Sequence, residues 1–136
     1  MNDPTSSVSP ETPRIPVSVR RAVFVIYTLT LLLATHWPQL SIKGPIQRPD
    51  LVIHVGAFGL WTLLLILAAF FGRPLARRNI LASTAVGAVY APLDELSQGL
   101  PGLHRVVALD DALANLLGVS IAGGACLTLS LIRSSR

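Results

Sequence analysis

Four long apolar stretches alternate with short segments that carry every Asp, Glu, Lys and Arg residue of the chain. The stretches cover residues 22–42, 51–72, 79–93 and 112–132. Because an α-helix rises about 1.5 Å per residue and the hydrocarbon core of a bilayer is about 30 Å thick, about 20 residues span it. The first, second and fourth stretches reach this length, and the third reaches it only with its charged ends at the interfaces. The pattern therefore predicts an all-α integral membrane protein with four transmembrane helices in a small bundle.

The first helix is preceded by a segment rich in proline, serine and threonine, a composition typical of a flexible tail. We therefore divide the chain into a tail of residues 1–19, a transmembrane domain of residues 20–133 and an end of residues 134–136. A signal peptide is the alternative for the first stretch, but no small-residue cleavage site follows it. Trp37 instead resembles an interfacial aromatic residue and Pro38 ends the helix, so we predict that this helix is retained.

The composition favours a membrane protein over a water-soluble domain. Charged residues make up 13% of the chain and hydrophobic residues 51%, whereas about 25% of the residues of a soluble domain are charged. The net charge of +4 does not indicate a nucleic-acid partner, because the basic residues form no dense patch. The single cysteine, Cys126, excludes an intrachain disulfide and a thiolate zinc cluster.

The basic residues predict the orientation of the helices. With both termini in the cytoplasm, the cytoplasmic segments hold Arg14, Arg20, Arg21, Arg73, Arg77, Arg78, Arg133 and Arg136. The outer segments then hold only Lys43, Arg48 and Arg105. Since basic residues favour short cytoplasmic segments, we expect both termini inside and the acidic residues of the helix ends outside.

Small residues indicate how the helices approach one another. Ser83, Gly87 and Ala91 recur at every fourth position of the third helix, and Glu95 continues the same face. In the fourth helix Gly118 and Ala122 are likewise four residues apart. Close approach over small residues drives association of membrane helices, although glycine and alanine are also simply common in such helices.

Polar residues at the outer ends of three helices form the candidate site. Asp50 and His54 are four residues apart in the second helix, and Asp111 and Asn115 repeat this spacing in the fourth. Residues four apart share one face of a helix. Together with the acidic end of the third helix and the cation that follows it, the candidate binding residues are Asp50, His54, Asp94, Glu95, Gln98, Arg105, Asp111 and Asn115.

These residue types allow several kinds of chemistry. His54 beside a carboxylate forms a general acid–base pair, so the catalytic candidates are His54, Glu95 and Asp111. The same groups can ligate a divalent cation, although their spacing forms no dedicated metal motif. Arg105 can bind a phosphate or a carboxylate through two hydrogen bonds. A structural explanation is open for each single residue: Asp50, for example, is stabilised simply by lying near a helix N-terminus.

A resemblance to a known family rests on motifs between residues 50 and 118. The motifs are Asp50-x-x-x-His54 with Phe58, Asp94-Glu95-x-x-Gln98 with Pro101, Gly102 and Arg105, and Asp111-x-x-x-Asn115-x-x-Gly118. In these motifs and their order the chain resembles the VanZ-like family. The members of this family are small bacterial membrane proteins named after a protein linked to teicoplanin resistance. Leu51 departs from the family, which usually has lysine there. Leu103 and His104 also separate Arg105 from the Pro-Gly pair that it normally follows.

The resemblance implies a protein of the bacterial cytoplasmic membrane with a role in envelope properties or glycopeptide susceptibility, and it supplies no mechanism. The first hypothesis for function is therefore a binding protein. Its outward-facing polar pocket would take an envelope component, such as an anionic lipid head group or a lipid-linked precursor. An acidic cluster binds an anion only with the help of a cation, so this hypothesis requires Arg105 or a divalent ion.

The second hypothesis is an enzyme that hydrolyses or transfers a group on a lipid-linked substrate. His54 would be its acid–base, Asp50 or Asp111 the orienting partner, and Glu95 a second acid–base or a metal ligand. Further alternatives are a small proton-coupled transporter and a purely structural bundle. Self-association into a homo-oligomer is open in each case, because four helices form a thin bundle.

Overall fold

The computed structural model describes residues 15–37, 48–101 and 107–135, and all regular secondary structure in them is helical. The helices are α1 (Val17–Thr35), α2 (Pro49–Ala68), α3 (Arg77–Gln98) and α4 (Leu109–Ser134). The predicted all-helical class is therefore confirmed. Helices α1, α2 and α4 are long and apolar enough to cross a membrane, which supports a membrane protein.

The helix ends differ from the sequence prediction in ways that local chemistry explains. Helix α1 begins at Val17, inside the segment predicted as tail. The residue before it is Pro16, the N-cap, and proline disfavours a helical conformation in the residue that precedes it. Pro49 opens α2, where a missing N–H group costs nothing. Helix α3 includes the charged residues on both sides of the third apolar stretch and is 22 residues long, about 33 Å. Those added polar residues explain why α3 is much less apolar than its neighbours.

Helices α2 and α4 run in the same direction and cross in backbone contact. A Cβ atom on Gly118 would lie 2.2 Å from the carbonyl oxygen of Val55 and 2.9 Å from the amide nitrogen of Gly59. Neither distance is possible for a side chain, so this crossing requires glycine. The alternating directions of the helices bring the ends of α1 and α3 to the starts of α2 and α4, at one end of the bundle.

The small-residue face predicted for α3 is confirmed. Ser83, Gly87, Ala91 and Glu95 are all buried on one side of that helix. A Cβ atom on Gly87 would lie 3.0 Å from the side chain of Val119 in α4. This side of α3 therefore packs closely against the rest of the bundle.

Aromatic and hydroxyl side chains attach α1 to the bundle. The ring of Trp61 in α2 stacks on Tyr90 of α3 with 4.7 Å between ring centroids. Phe24 of α1 also contacts the Trp61 ring, with 5.3 Å between ring centroids. The indole N–H of Trp61 donates to the Thr28 hydroxyl at 3.0 Å. Because a buried indole N–H needs an acceptor, this bond also fixes how far α1 can slide along α2.

Two of the arginines that predict orientation also bind the end of α2. The Arg20 guanidinium donates to the Leu67 carbonyl at 3.0 Å, and Arg21 Nε donates to the Ala68 carbonyl at 3.3 Å. Arg21 also lies over the Phe70 ring, 4.8 Å from its centroid. Cations at a helix C-terminus satisfy its free carbonyls and interact favourably with its dipole.

Asn79 joins α2 to α3 at this same end. Its amide donates to the Ile66 carbonyl at 2.8 Å and to the Pro74 carbonyl at 2.9 Å, and its oxygen accepts from the Phe71 amide at 3.1 Å. The side chain is fully buried. These bonds satisfy backbone groups that the turn between the helices would otherwise leave unpaired.

Candidate functional site

Seven of the eight predicted site residues lie at the end of the bundle where α2 and α4 begin, and Arg105 lies outside the described residues. The structure divides the seven into three groups by their contacts. Asp50 belongs to a surface ion-pair group with Arg48 and Asp110. The Asp94–Glu95 cluster comprises Asp94, Glu95 and Gln98. The histidine group is His54, Asp111 and Asn115.

The surface ion-pair group links the first turns of α2 and α4. Arg48 lies 3.2 Å from Asp50 and also binds Asp110, and all of these side chains are about half exposed. Hydrogen bonds to Asp110 and to Asp50 raise the pKa of the Arg48 guanidinium above its ordinary value, so it stays charged. Exposed pairs of this kind are screened by solvent and contribute little to stability. Asp50 thus pairs with Arg48, while His54 finds its partners on α4.

Asp94 is the first acid of the Asp94–Glu95 cluster, and it is only 2% exposed. It accepts hydrogen bonds from the Thr35 hydroxyl at 3.3 Å, the Tyr90 hydroxyl at 3.2 Å and the Gln98 amide at 3.2 Å. These donors come from α1 and from both neighbouring turns of α3. Asp94 therefore fastens the end of α1 to α3, which is a structural task.

Glu95 fastens α3 to the start of α4. Its Oε1 accepts a hydrogen bond from the Ala108 amide at 2.8 Å, and its Oε2 accepts one from the Gln98 amide at 3.4 Å. Ala108 is the N-cap residue of α4, where a backbone N–H has no partner within the helix and an acceptor is favourable. Each oxygen of this buried carboxylate thus already has a donor within the protein.

The histidine group joins α2 to α4 beside their glycine crossing. His54 Nδ1 lies 2.8 Å from Asn115 Oδ1. In this orientation of the amide the proton of the bond is on Nδ1, because an amide oxygen only accepts. His54 Nε2 lies 3.6 Å from Asp111 Oδ2, with the two side chains 13% and 16% exposed. A proton on Nε2 would make this contact an ion pair.

Two atoms of the histidine group have unused hydrogen-bonding capacity. Asp111 Oδ1 and Asn115 Nδ2 are buried and have no partner in the described structure. Asn115 is fully buried, and more than about 90% of buried polar groups in native proteins have a partner. The histidine group therefore offers a free acceptor and a free donor beside an imidazole. In the Asp94–Glu95 cluster both carboxylates already accept hydrogen bonds.

A divalent cation finds no ready ligand set in the described part of the chain. Among residues 15–37, 48–101 and 107–135, no group of three or more His, Cys, Asp or Glu side chains has the arrangement of a metal site. The carboxylates of Asp94 and Glu95 instead face hydroxyl, amide and backbone N–H donors.

Sequence reasoning missed several residues of this region. Tyr90 donates to Asp94 from one turn earlier in α3, a spacing of four that could have been recognised in the sequence. Thr35 and His36 come from α1, and His36 Nε2 lies 2.9 Å from the Ser97 hydroxyl. No local pattern relates them to α3, because only the packing of the helices brings them together.

No family model, curated protein or solved structure matches the chain. The resemblance to the VanZ-like family therefore stays a prediction that rests on the quoted motifs. The division of the site into three groups is independent of that resemblance, since it follows from the contacts alone.

Proposed function

We propose that the chain is an integral membrane protein of four spanning helices, with both termini in the cytoplasm. We further propose that its histidine group binds the polar head group of an envelope lipid from the outer side. In this proposal the protein is VanZ-like and acts in the bacterial cytoplasmic membrane, where it affects envelope properties or glycopeptide susceptibility. The three long apolar helices support the membrane location.

The two faces of α3 support its crossing the membrane as a fourth span. The exposed large side chains of this helix are Leu81, Val86, Val89, Leu93 and Leu96. The polar side chains buried inside are Asn79, Ser83, Asp94, Glu95 and Gln98. A helix in water would show the opposite arrangement, whereas polar groups of a membrane helix face the bundle and apolar ones face lipid.

The distribution of charge supports the orientation. At the end where α1 and α3 begin, the described basic residues are Arg20, Arg21, Arg73, Arg77, Arg78 and Arg133. At the opposite end Arg48 is the only described arginine or lysine, and all the described carboxylates lie there too. Basic residues favour the cytoplasmic side of short connections, so the histidine group would lie at the outer surface.

The observation that carries the proposed binding is the unused donor and acceptor of Asn115 and Asp111. Leaving such groups unpaired in the protein interior costs about 1 to 3 kcal/mol each, and a ligand that pairs them recovers this cost. Both residues lie in the first two turns of α4, at the depth of the lipid head groups if α4 spans the bilayer.

Replacing the buried amide tests the proposed binding. We expect Asn115→Leu, which has a similar volume and no polar atom, to lose most of the envelope lipid that the wild type carries through purification. Asp110→Asn is the matched control, because it alters a neighbouring but exposed carboxylate. The measurement is quantitative lipid mass spectrometry on purified protein of equal thermal stability. Identical lipid profiles in the wild type and Asn115→Leu would contradict the proposal.

A second candidate function is catalysis, which the pairing of His54 favours. Asn115 holds the imidazole through Nδ1 and Asp111 lies 3.6 Å from Nε2. A carboxylate in this position stabilises the imidazolium that forms when histidine accepts a proton. His54 Nε2 would accept the proton of a water molecule or a substrate hydroxyl as that oxygen attacks a lipid-linked substrate, and the imidazolium would return the proton to the leaving group as its bond breaks.

Turnover assays on envelope lipids distinguish catalysis from binding. If the chain is an enzyme, His54→Gln should lower turnover by about 100-fold or more, while Asp50→Asn should leave it unchanged since Asp50 pairs with Arg48. Purified protein is incubated with the lipids with and without divalent metal ions. Turnover that is absent, or equally fast in His54→Gln, would exclude this candidate.

A further inference from the structure

The unpaired atoms of the histidine group define what a ligand must offer. Asp111 Oδ1 and Asn115 Nδ2 are buried and unpaired, and their residues are four apart in α4, on one face of the helix. Asp111 needs a donor and Asn115 needs an acceptor. Both requirements arise within one turn of helix, beside the imidazole of His54.

A hydroxyl group is the common head-group element that satisfies both requirements. A hydroxyl donates one hydrogen bond and accepts others. An ammonium group donates to Asp111 but cannot accept from Asn115, and an ionised phosphodiester accepts from Asn115 but cannot donate to Asp111. A single chemical group that pairs both atoms must therefore be a hydroxyl rather than either charged group.

The charge around the histidine group also disfavours direct contact with a phosphate. Glu95 lies within electrostatic reach of Asp111, His54 and Asp94. Carboxylates that interact with one another in a medium of low dielectric constant repel an anion. Binding of an anionic group here would need a further cation, whereas an uncharged hydroxyl needs none.

We propose that the histidine group recognises a hydroxyl of a polyol or sugar head group, so that the ligand class is a glycolipid or a glycerol-bearing phospholipid. Asp111 accepts a hydrogen bond from the hydroxyl, and Asn115 donates one to its oxygen. This inference rests on the proposed lipid binding and adds the chemical class of the head group.

Competition between lipids that share dioleoyl chains tests this inference. The probes are diglucosyl diacylglycerol, phosphatidylglycerol, phosphatidylethanolamine and phosphatidylcholine, added in equal amounts to the full chain in detergent and quantified by native mass spectrometry. We expect the hydroxyl-bearing lipids to bind about tenfold or more tightly than the other two, because neither phosphatidylethanolamine nor phosphatidylcholine has a single group that both donates to Asp111 and accepts from Asn115. Asn115→Leu should abolish this preference and Asp110→Asn should keep it; Asn115→Ala serves if the leucine variant does not fold.

The possible outcomes separate the two levels of the proposal. Preference for either hydroxyl-bearing lipid supports the inference, and the stronger of the two identifies the source as a sugar or a glycerol head group. Asn115-dependent binding that is equally strong for phosphatidylethanolamine or phosphatidylcholine overturns the hydroxyl inference and leaves lipid binding intact. Lipid binding that does not depend on Asn115, as when water alone fills the site, overturns both.

Discussion

Gly118→Ala is expected to lower the free energy of unfolding by about 3 kcal/mol, the upper part of the range for overpacked cores. The added Cβ atom would lie 2.2 Å from the carbonyl oxygen of Val55 and 2.9 Å from the amide nitrogen of Gly59. Both atoms belong to the backbone of α2, so no side chain can rotate away. The helices must therefore separate along their length, and the packing between them is lost with that movement.

The control is Gly124→Ala in the same helix, because nothing lies within 4 Å of a Cβ atom at Gly124. It should be neutral or slightly stabilising, since alanine favours helix more than glycine does. Unfolding is followed by circular dichroism during titration of mixed micelles with sodium dodecyl sulfate. Equal unfolding midpoints for the two variants would show that α2 and α4 do not cross at Gly118.

The same substitution should also weaken the candidate site. His54 of α2 and Asn115 of α4 lie within two turns of the crossing, with 2.8 Å between His54 Nδ1 and Asn115 Oδ1. Because a hydrogen bond weakens steeply when its partners move apart, separation of the helices breaks this contact. Loss of bound lipid in Gly118→Ala at temperatures where the variant remains folded would connect the crossing to the site.

Asp94→Leu is expected to destabilise the protein by about 3 kcal/mol, through the donors that it leaves behind. The Tyr90 hydroxyl, the Thr35 hydroxyl and the Gln98 amide all donate to Asp94. A buried donor without an acceptor costs about 1 to 3 kcal/mol, and Thr35 and Gln98 recover part of this because each has another acceptor nearby. The same titration in mixed micelles measures the loss.

Two further variants make this prediction specific. Asp94→Asn keeps one acceptor oxygen and should lose less stability than Asp94→Leu. Asp50→Leu removes a carboxylate at the same end of the bundle, but one that is half exposed and paired only with Arg48 among the described residues, so it should unfold close to the wild type. A loss as large in Asp50→Leu as in Asp94→Leu would mean that burial and hydrogen bonding do not distinguish the two acids.

The acidic residues at this end of the bundle have separate tasks. Asp94 and Glu95 hold α1, α3 and the start of α4 together. The histidine group, which lies beside them, then keeps unused hydrogen-bonding capacity on a rigid frame. Sites whose side chains are fixed by surrounding contacts bind with little loss of conformational entropy, so these structural acids would support the proposed binding indirectly.

The amino-acid sequence alone was enough to predict the number, class and approximate limits of the described helices. Helices of this length arise from runs of apolar residues, and the small residues of α3 predicted its buried face correctly, because both patterns are local and repeat with the period of a helix. The seven described candidate residues were also predicted correctly to lie at one end of the bundle, since helix direction alternates along the chain.

The contacts between these residues could be read only from the packed helices. Asp50 lies one turn before His54 and has the same chemistry as Asp111, yet Asp50 pairs with Arg48 and the described partners of His54 come from α4. Thr35 reaches Asp94 across 59 positions of the chain. Such pairings depend on how far two helices approach and rotate, and here backbone contact at Gly118 sets that approach. Spacing along a single helix carries no information about a neighbour's rotation, so it defined a set of polar residues but not their partners.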